Sequence, residues 1–318
     1  MIPYSVIDAH CDTLTMLEPG QHLLDCPKHY NVQKQSQYAR FLQVMDLWVD
    51  KGEHPVNDRV NHYVDFYRQE VERTPEIQTI LTREDLVHYF TCPTPQNPAW
   101  LLGIEGGECA DDSLKRLQEL FNQGVRLITL TWNTPNEISD TNLVQRTENP
   151  GLTPYGREVV REMNRLGMII DVSHISDAGF QDVLETTEKP IVASHSNARR
   201  LCPHSRNLTD AMFKDLMKNG GVTGMNFCTE FLGGSEYLEQ IVRHIEHFAG
   251  LGGIAHIGMG SDFDGIDELP GGIRGTESLY RIFDRLLQLN YTDEQVEAIA
   301  WKNFYRVFSS VLPLAEAQ

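Results

Sequence analysis

A (β/α)₈ TIM-like barrel is the fold that this sequence predicts, and two observations carry the prediction. Short apolar runs, often β-branched, recur eight times along the chain and alternate with helical patterns. Most of these runs end on a polar residue able to do chemistry. A doubly wound open sheet, the rival architecture, usually gathers its ligand residues at one crevice instead. No linker or low-complexity stretch divides the chain, so residues 1–318 read as one domain.

The first run is Ser5 to Ala9, leading into His10-Cys11-Asp12. A loop with Pro19-Gly20 follows. The second run, Phe41 to Val49, fits either a strand or a helix. Val56 to Arg73 reads as a helix from the spacing of Val60, Tyr63, Val64, Tyr67 and Val71. Thr82-Arg83-Glu84-Asp85 starts a short helix that prolines 93, 95 and 98 close. Run three is Ala99 to Glu105, followed by Gly106-Gly107 and a helix from Ser113 to Asn122. Run four is Val125 to Thr131. Thr153-Pro154 opens a helix that stops at Gly167, with proline inside the start and glycine past the end. Run five is Met168 to His174, and Ser176 caps the helix after it. Run six is Pro190 to His195, and a helix spans Thr209 to Asn219. Run seven is Val222 to Phe227, with a helix over 236–250. Run eight is Ala255 to Ser261, closing on Asp262-Phe263-Asp264-Gly265. Helices from Thr276 to Leu289 and Thr292 to Val311 end the pattern.

A hydrophobic content of 41% and a charged content of 23% suit a globular protein with an ample core. The net charge of -18 argues against nucleic acid and anionic membranes, which favour basic surfaces. No apolar run is long enough to span a bilayer, and Met1 is followed almost at once by the first strand, so a cytoplasmic location is expected. The six cysteines form no Cys-x-x-Cys pair and are expected to be free thiols, with Cys202 and Cys228 open to proximity.

Side chains alternate faces along a strand, so His10 and Asp12 point one way and Cys11 the other. An imidazole and a carboxylate sharing a face suit a divalent ion such as zinc. Barrel active sites sit at the C-terminal ends of the strands. There the runs place His10 and Asp12, Glu105, Trp132 and Asn133, His174, His195, Asn226 and Asp262. Three histidines and three carboxylates at one mouth are about what two neighbouring divalent ions need, including a carboxylate that bridges them. Glu105 is the natural bridge, because its charge ends an apolar strand and Gly106-Gly107 lets backbone approach closely. Residues 125–133 hold no lysine, so a carbamylated lysine bridge is not expected. His54, His62, His88, His244 and His247 read as surface, and His256 sits at the wrong end of its strand. His22, His29 and His204 are on loops within reach of the mouth.

The sequence closely resembles the membrane dipeptidase (renal dipeptidase) family of binuclear zinc peptidases, within the amidohydrolase superfamily. The resemblance lies in Ile7 to Asp12, Gly103 to Gly107, Arg126 to Asn133, Gly151 to Gly156, Met163 to His174 and Ser194-His195-Ser196. It continues in Arg206-Asn207, Gly260 to Gly265 and Asn303 to Val307. It implies a (β/α)₈ barrel that is somewhat distorted, and hydrolysis of free dipeptides, L,L and L,D, by two zinc ions per subunit and a metal-bridging hydroxide. His10 and Asp12 would bind one zinc, His174 and His195 the other, and Glu105 both. Arg206 would receive the substrate carboxylate, and Asp262 would move the proton.

Two positions depart from the family. Trp132 stands where renal-type enzymes carry a histidine that polarises the scissile carbonyl, with Asn133 next to it. Cys228 stands where many members have tyrosine, which predicts a smaller or softer pocket wall. An alternative reading is a related amidohydrolase of N-acyl amino acids, other small amides or lactams. A remoter one is a non-catalytic metal- or peptide-binding barrel. A homodimer is expected on symmetry preference alone.

Overall fold

The eight runs form eight parallel strands that close on themselves in chain order. The structure is a computed structural model that describes residues 2–49, 55–93, 98–110, 113–144, 151–234 and 238–315. The barrel strands are β1 (Ile2–Asp8), β2 (Tyr38–Trp48), β3 (Ala99–Glu105), β4 (Val125–Thr129), β5 (Ile169–Asp171), β6 (Val192–Ala193), β7 (Val222–Met225) and β8 (Ile257–Met259). Each pairs with the next, and Asp8 of β1 opposite Met259 of β8 closes the ring. A two-residue strand, Gln78–Thr79, lies beside the start of β3.

The expected distortion is present and has a direction. β2 is 11 residues long and β3 seven, whereas β6 has two. The register also slips between Ile2 and Ser5 and between Leu102 and Gly103. The ambiguous second run is the longest strand. Nearly every residue from Phe41 to Leu47 is buried, as befits a parallel strand covered on both faces.

Alternation along the strands sorts the barrel interior into layers. A lower apolar layer joins Ile7, Leu42, Val44, Leu101, Leu127, Ile169, Val192 and Val222 with Phe304, Val307 and Phe308 of the last helix, which plugs the floor. Two residues further up the same strands come Asp46, Gly103, Thr129 and Asp171, with Ser194 just past β6. The interior is therefore greasy below and polar above.

The helix signals match at most termini. The Thr153 hydroxyl accepts from the Gly156 amide, Pro154 takes the first turn, and Gly167 ends the helix in the left-handed region at φ 78°. Ser176, Thr209 and Thr292 cap in the same way, and Thr82 with Asp85 forms a reciprocal capping box. The last predicted helix is broken. It runs Asp293–Glu297, then a π-helical turn Ala298–Lys302, then Asn303–Val311. Beside that turn, Asn303 Nδ2 donates to the carbonyls of Ile254 and Ile257 under β8, both at 2.7 Å. Thr276 to Leu289 also divides, into a 3₁₀ turn Thr276–Ser278 and a helix Tyr280–Gln288. The helix expected over 236–250 is seen as Glu239–Gly250. Two short helices, Val32–Gln35 and Thr229–Leu232, carry too few turns to leave a periodic pattern.

One histidine reading needs correction. His244 is buried on the inner face of Glu239–Gly250, not at the surface. Its Nδ1 accepts from the Ala198 amide at 3.0 Å, and its Nε2 donates to the Leu232 carbonyl at 3.2 Å. Two backbone partners satisfy the neutral ring, and burial pushes its pKa down to about 4. His62 and His88 are exposed and His247 is half-buried, while His54 lies outside the described residues. Among the described residues, no helix is long and apolar enough to cross a membrane.

Candidate metal centre

All the strand-end residues named from the sequence meet at the upper mouth of the barrel. Glu105, at the end of β3 and 3% exposed, is the hub. Its Oε1 lies 2.9 Å from His174 Nε2, 3.4 Å from His195 Nε2 and 3.7 Å from His10 Nε2. Asp12 Oδ2 is 3.4 Å and Asp262 Oδ1 3.8 Å from the same His10 nitrogen. Two triplets with metal-ligand spacing, His10–Asp12–Glu105 and Glu105–His174–His195, share that one carboxylate, and His10–His195–Asp262 forms a third.

Hydrogen bonds fix which ring nitrogens face the centre. His174 Nδ1 lies 2.9 Å from Asn133 Oδ1, an acceptor, so Nδ1 carries the proton. Ser194 Oγ donates to Asp171 Oδ2 at 2.6 Å and is thereby left to accept from His195 Nδ1 at 2.7 Å. Both Nε2 atoms then present bare lone pairs, and they stand 3.0 Å apart. Together with Glu105 Oε1 they make a cluster of acceptors. A shared proton relieves one pair of them at a time; a cation relieves all three. The donor set of nitrogens and carboxylate oxygens is that of a zinc-type ion.

Electrostatics divides the two sides. Burial opposes charge on His10, but Asp46, Asp12 and Glu105 overcome it and hold its pKa well above the usual imidazole value. Burial, reinforced by Arg206 and His10, pushes His174 and His195 well below it. Burial raises Glu105 and Asp262. Neither nitrogen of His10 makes a hydrogen bond of ordinary geometry, and Asp12 Oδ1 is likewise unpartnered. Buried polar atoms in that condition point to a missing ligand.

The backbone is bent to aim these groups. His174 and Asp262 both adopt left-handed conformations, with φ of 68° and 62°. Gly265 lies against Asp12 and Asp262, and a Cβ there would overlap Asp12 Oδ2 and crowd Asp262 Oδ1. Asp262 Oδ2 accepts from Asn226 Nδ2 at 2.9 Å, and Asn226 Oδ1 accepts from the Cys228 amide at 2.6 Å. Asp171 collects the amides of Ser173 and Ser194 and the hydroxyls of Thr129 and Ser194.

Asp46 was not picked out from the sequence. It is fully buried on β2, and its Oδ2 lies 3.0 Å from His10 Nδ1. A side chain at Gly103 would overlap Asp46 Oδ1, so the glycine makes room for it. The available signal was a single acid within the apolar run FLQVMDLWV.

A cavity of about 780 Å³ opens above the centre. Glu105, His174, Asp262, Trp132, Asn133, Arg206 and Cys228 line it, and so does His204. Arg206 is 3% exposed, and its Nε and Nη1 have no hydrogen-bond partner. Among the described residues, Nη2 is the guanidinium nitrogen with a hydrogen bond, to the His195 carbonyl at 3.4 Å. Trp132 packs edge-on to Trp48, with ring centroids 5.1 Å apart. His22 pairs with Glu70, and His29 with Asp264; neither lines the cavity. His256 bonds the Gly221 carbonyl at the lower end of β8. Cys11, Cys26, Cys202 and Cys228 are free thiols, so Cys202 and Cys228 do not pair.

Residues 2–318 match the family described as membrane dipeptidase, peptidase family M19. The chain belongs to that family. An uncharacterized dipeptidase, C965.12, of Schizosaccharomyces pombe (strain 972 / ATCC 24843) is 37% identical over 214 residues, which is 65% of this chain and 51% of that protein. The match thus spans about half the length of this curated relative. Among solved structures, the dipeptidase AC, a metallopeptidase of family M19, is 24% identical with a TM-score of 0.83, covering 97% of this chain and 99% of that one. A Rhodobacter sphaeroides metallopeptidase, liganded with a phosphinate mimic of the dipeptide L-Ala-D-Ala, is 23% identical with the same TM-score and coverage. These two likenesses agree with the barrel fold.

Proposed function

We propose that this protein is a zinc dipeptidase, acting as one domain over residues 1–318 and cleaving the peptide bond of small free dipeptides. The observation that carries the reading is the pair of ligand triplets sharing Glu105, set beneath an arginine with unused donors. His10, Asp12 and Glu105 would hold one zinc, and Glu105, His174 and His195 the other. When bound, such a pair supplies Lewis acidity and a water acidic enough to yield hydroxide near neutral pH.

The rest of the chemistry falls to the protein's own groups. Arg206 lines the cavity with donors unused at Nε and Nη1 among the described residues, and its planar guanidinium suits a carboxylate. A substrate carboxylate seated there would fix the distance to the C-terminal peptide bond, so substrates without a free carboxylate at that place would be disfavoured. Asp262 is oriented by Asn226 through one oxygen, leaving the other to take a proton from water and return it to the leaving amine. Burial raises its pKa, which suits a group that must hold the proton between those steps. Asn133 holds the His174 ring, and Trp132 and Cys228 form wall. The L,D-dipeptide mimic bound to the Rhodobacter sphaeroides protein supports including L,D-dipeptides among the substrates.

The test is a zinc-reconstituted assay on L,L- and L,D-dipeptides beside an N-acetylated dipeptide and a tripeptide. Cleavage of the free dipeptides alone, abolished by a chelator and restored by zinc, is expected. Cleavage of only the acetylated substrate would favour the N-acyl amidohydrolase reading, which Trp132 in place of a histidine keeps in view.

A further inference from the structure

The cavity has two electrostatic ends. Deep inside, Arg206 is a buried cation with unused donors. At the mouth, Glu230 of the short helix after β7 and Asp267 and Glu268 of the loop after β8 line the same space, and all three are exposed. None of the three makes an ion pair among the described residues. Glu230 acts electrostatically on His204, but burial and Arg206 lower that imidazole's pKa, so it supplies no lasting countercharge near neutral pH. Asp264, also on the wall, is satisfied by Thr13 Oγ1 and the amides of His29 and Tyr30. Exposed apolar side chains, Met16 and Leu143, share the mouth with the acids.

We propose that the acidic mouth selects dipeptides that carry a lysine or arginine side chain. The inference rests on the dipeptidase reading. With the terminal carboxylate on Arg206, a long cationic side chain runs outward, lays its methylenes on Met16 and Leu143, and brings its charge among Glu230, Asp267 and Glu268. A glutamate side chain meets repulsion in the same place.

The experiment compares kcat/KM of the zinc-loaded protein for Ala-Lys and Lys-Ala with Ala-Met and Met-Ala, near-isosteric neutral substrates, and with Ala-Glu and Glu-Ala. At low ionic strength, one lysine member should exceed its methionine counterpart by about 10-fold, and the ratio should shrink towards about 2-fold in concentrated salt. A variant combining Glu230→Gln, Asp267→Asn and Glu268→Gln should collapse the lysine-to-methionine ratio. A control combining Glu72→Gln, Glu185→Gln and Glu294→Gln removes the same net charge away from the cavity and should keep it. Equal rates for lysine and methionine substrates, preference for glutamate, or equal collapse in both triple variants would overturn the inference. No turnover of any dipeptide would instead overturn the dipeptidase reading beneath it.

Discussion

The two sides of the centre are built differently. His10, Asp12 and Glu105 come from the long strands β1 and β3, with Asp46 of β2 beside them, and carboxylates crowd a single imidazole. His174 and His195 follow the short strands β5 and β6, and neutral partners, Asn133 and Ser194, orient them. The first side pulls a proton onto its histidine; the second keeps both of its histidines neutral. The lesson is that one barrel can prepare the two sides of a candidate metal centre by opposite means, charge on one side and tautomer control on the other, joined by one glutamate.

The largest effect should come from breaking the joint. Glu105→Gln keeps the shape and removes the shared charge, and kcat/KM for a dipeptide should fall by at least about 1,000-fold, with zinc content dropping on both sides. Equal zinc content in variant and parent would separate the two sides and undo the idea of a bridge.

Next come the orienting groups. Asp46→Asn should weaken one of two zinc equivalents by roughly 10- to 100-fold in a competition titration. Gly103→Ala, which forces a methyl group into Asp46, should act in the same direction. On the other side, Asn133→Ala should weaken the second equivalent and leave the first. Loss of both equivalents in either variant would mean that the sides do not behave separately.

A smaller effect is expected at Arg206, above both sides. Arg206→Lys should lower kcat/KM for free dipeptides by about 10- to 100-fold, mainly through KM, because an ammonium cannot offer a planar fork. Dipeptide amides, which lack the carboxylate, should change little between variant and parent.

The smallest is a matter of rate of labelling. Cys228 lines the cavity, and burial pushes its thiol pKa up to about 11. Only the thiolate reacts with iodoacetamide, so labelling at this cysteine should rise about tenfold per pH unit between pH 7 and 10. Mass spectrometry of the labelled peptide reads it out, and a plateau near pH 8 would contradict the assigned burial.

What the sequence disclosed follows from where each residue sits. His10, Asp12, Glu105, His174, His195 and Asp262 stand at or just past strand ends, where an apolar run stops on a polar side chain and the eye is drawn to it. Asp46 lies inside a run whose period fits strand or helix, so its orientation became legible only once its pairing with β3 was known. The Asn133 contact with His174 is likewise tertiary, reaching 41 residues along the chain, and Ser194, although next to His195, is set by Asp171 on another strand. His244 was misplaced because a helical histidine among charged neighbours looks solvated, whereas its two partners are backbone groups on other segments. Local signals did well for helix caps and poorly for the last helix, whose π turn sits beside Asn303 contacts with distant carbonyls.

The pairing of Asp8 with Met259 sets a schedule for the making of this protein. On a ribosome the first strand emerges early and must wait for about 250 further residues before its last neighbour exists. His10 and Asp12 wait with it, because Asp262 follows that neighbour, and the helix carrying Phe304 that stoppers the floor is later still. A nascent chain therefore carries the candidate ligands of both triplets before the barrel around them is closed. The ring that fixes the candidate ligands in their final arrangement shuts only when β8 reaches β1.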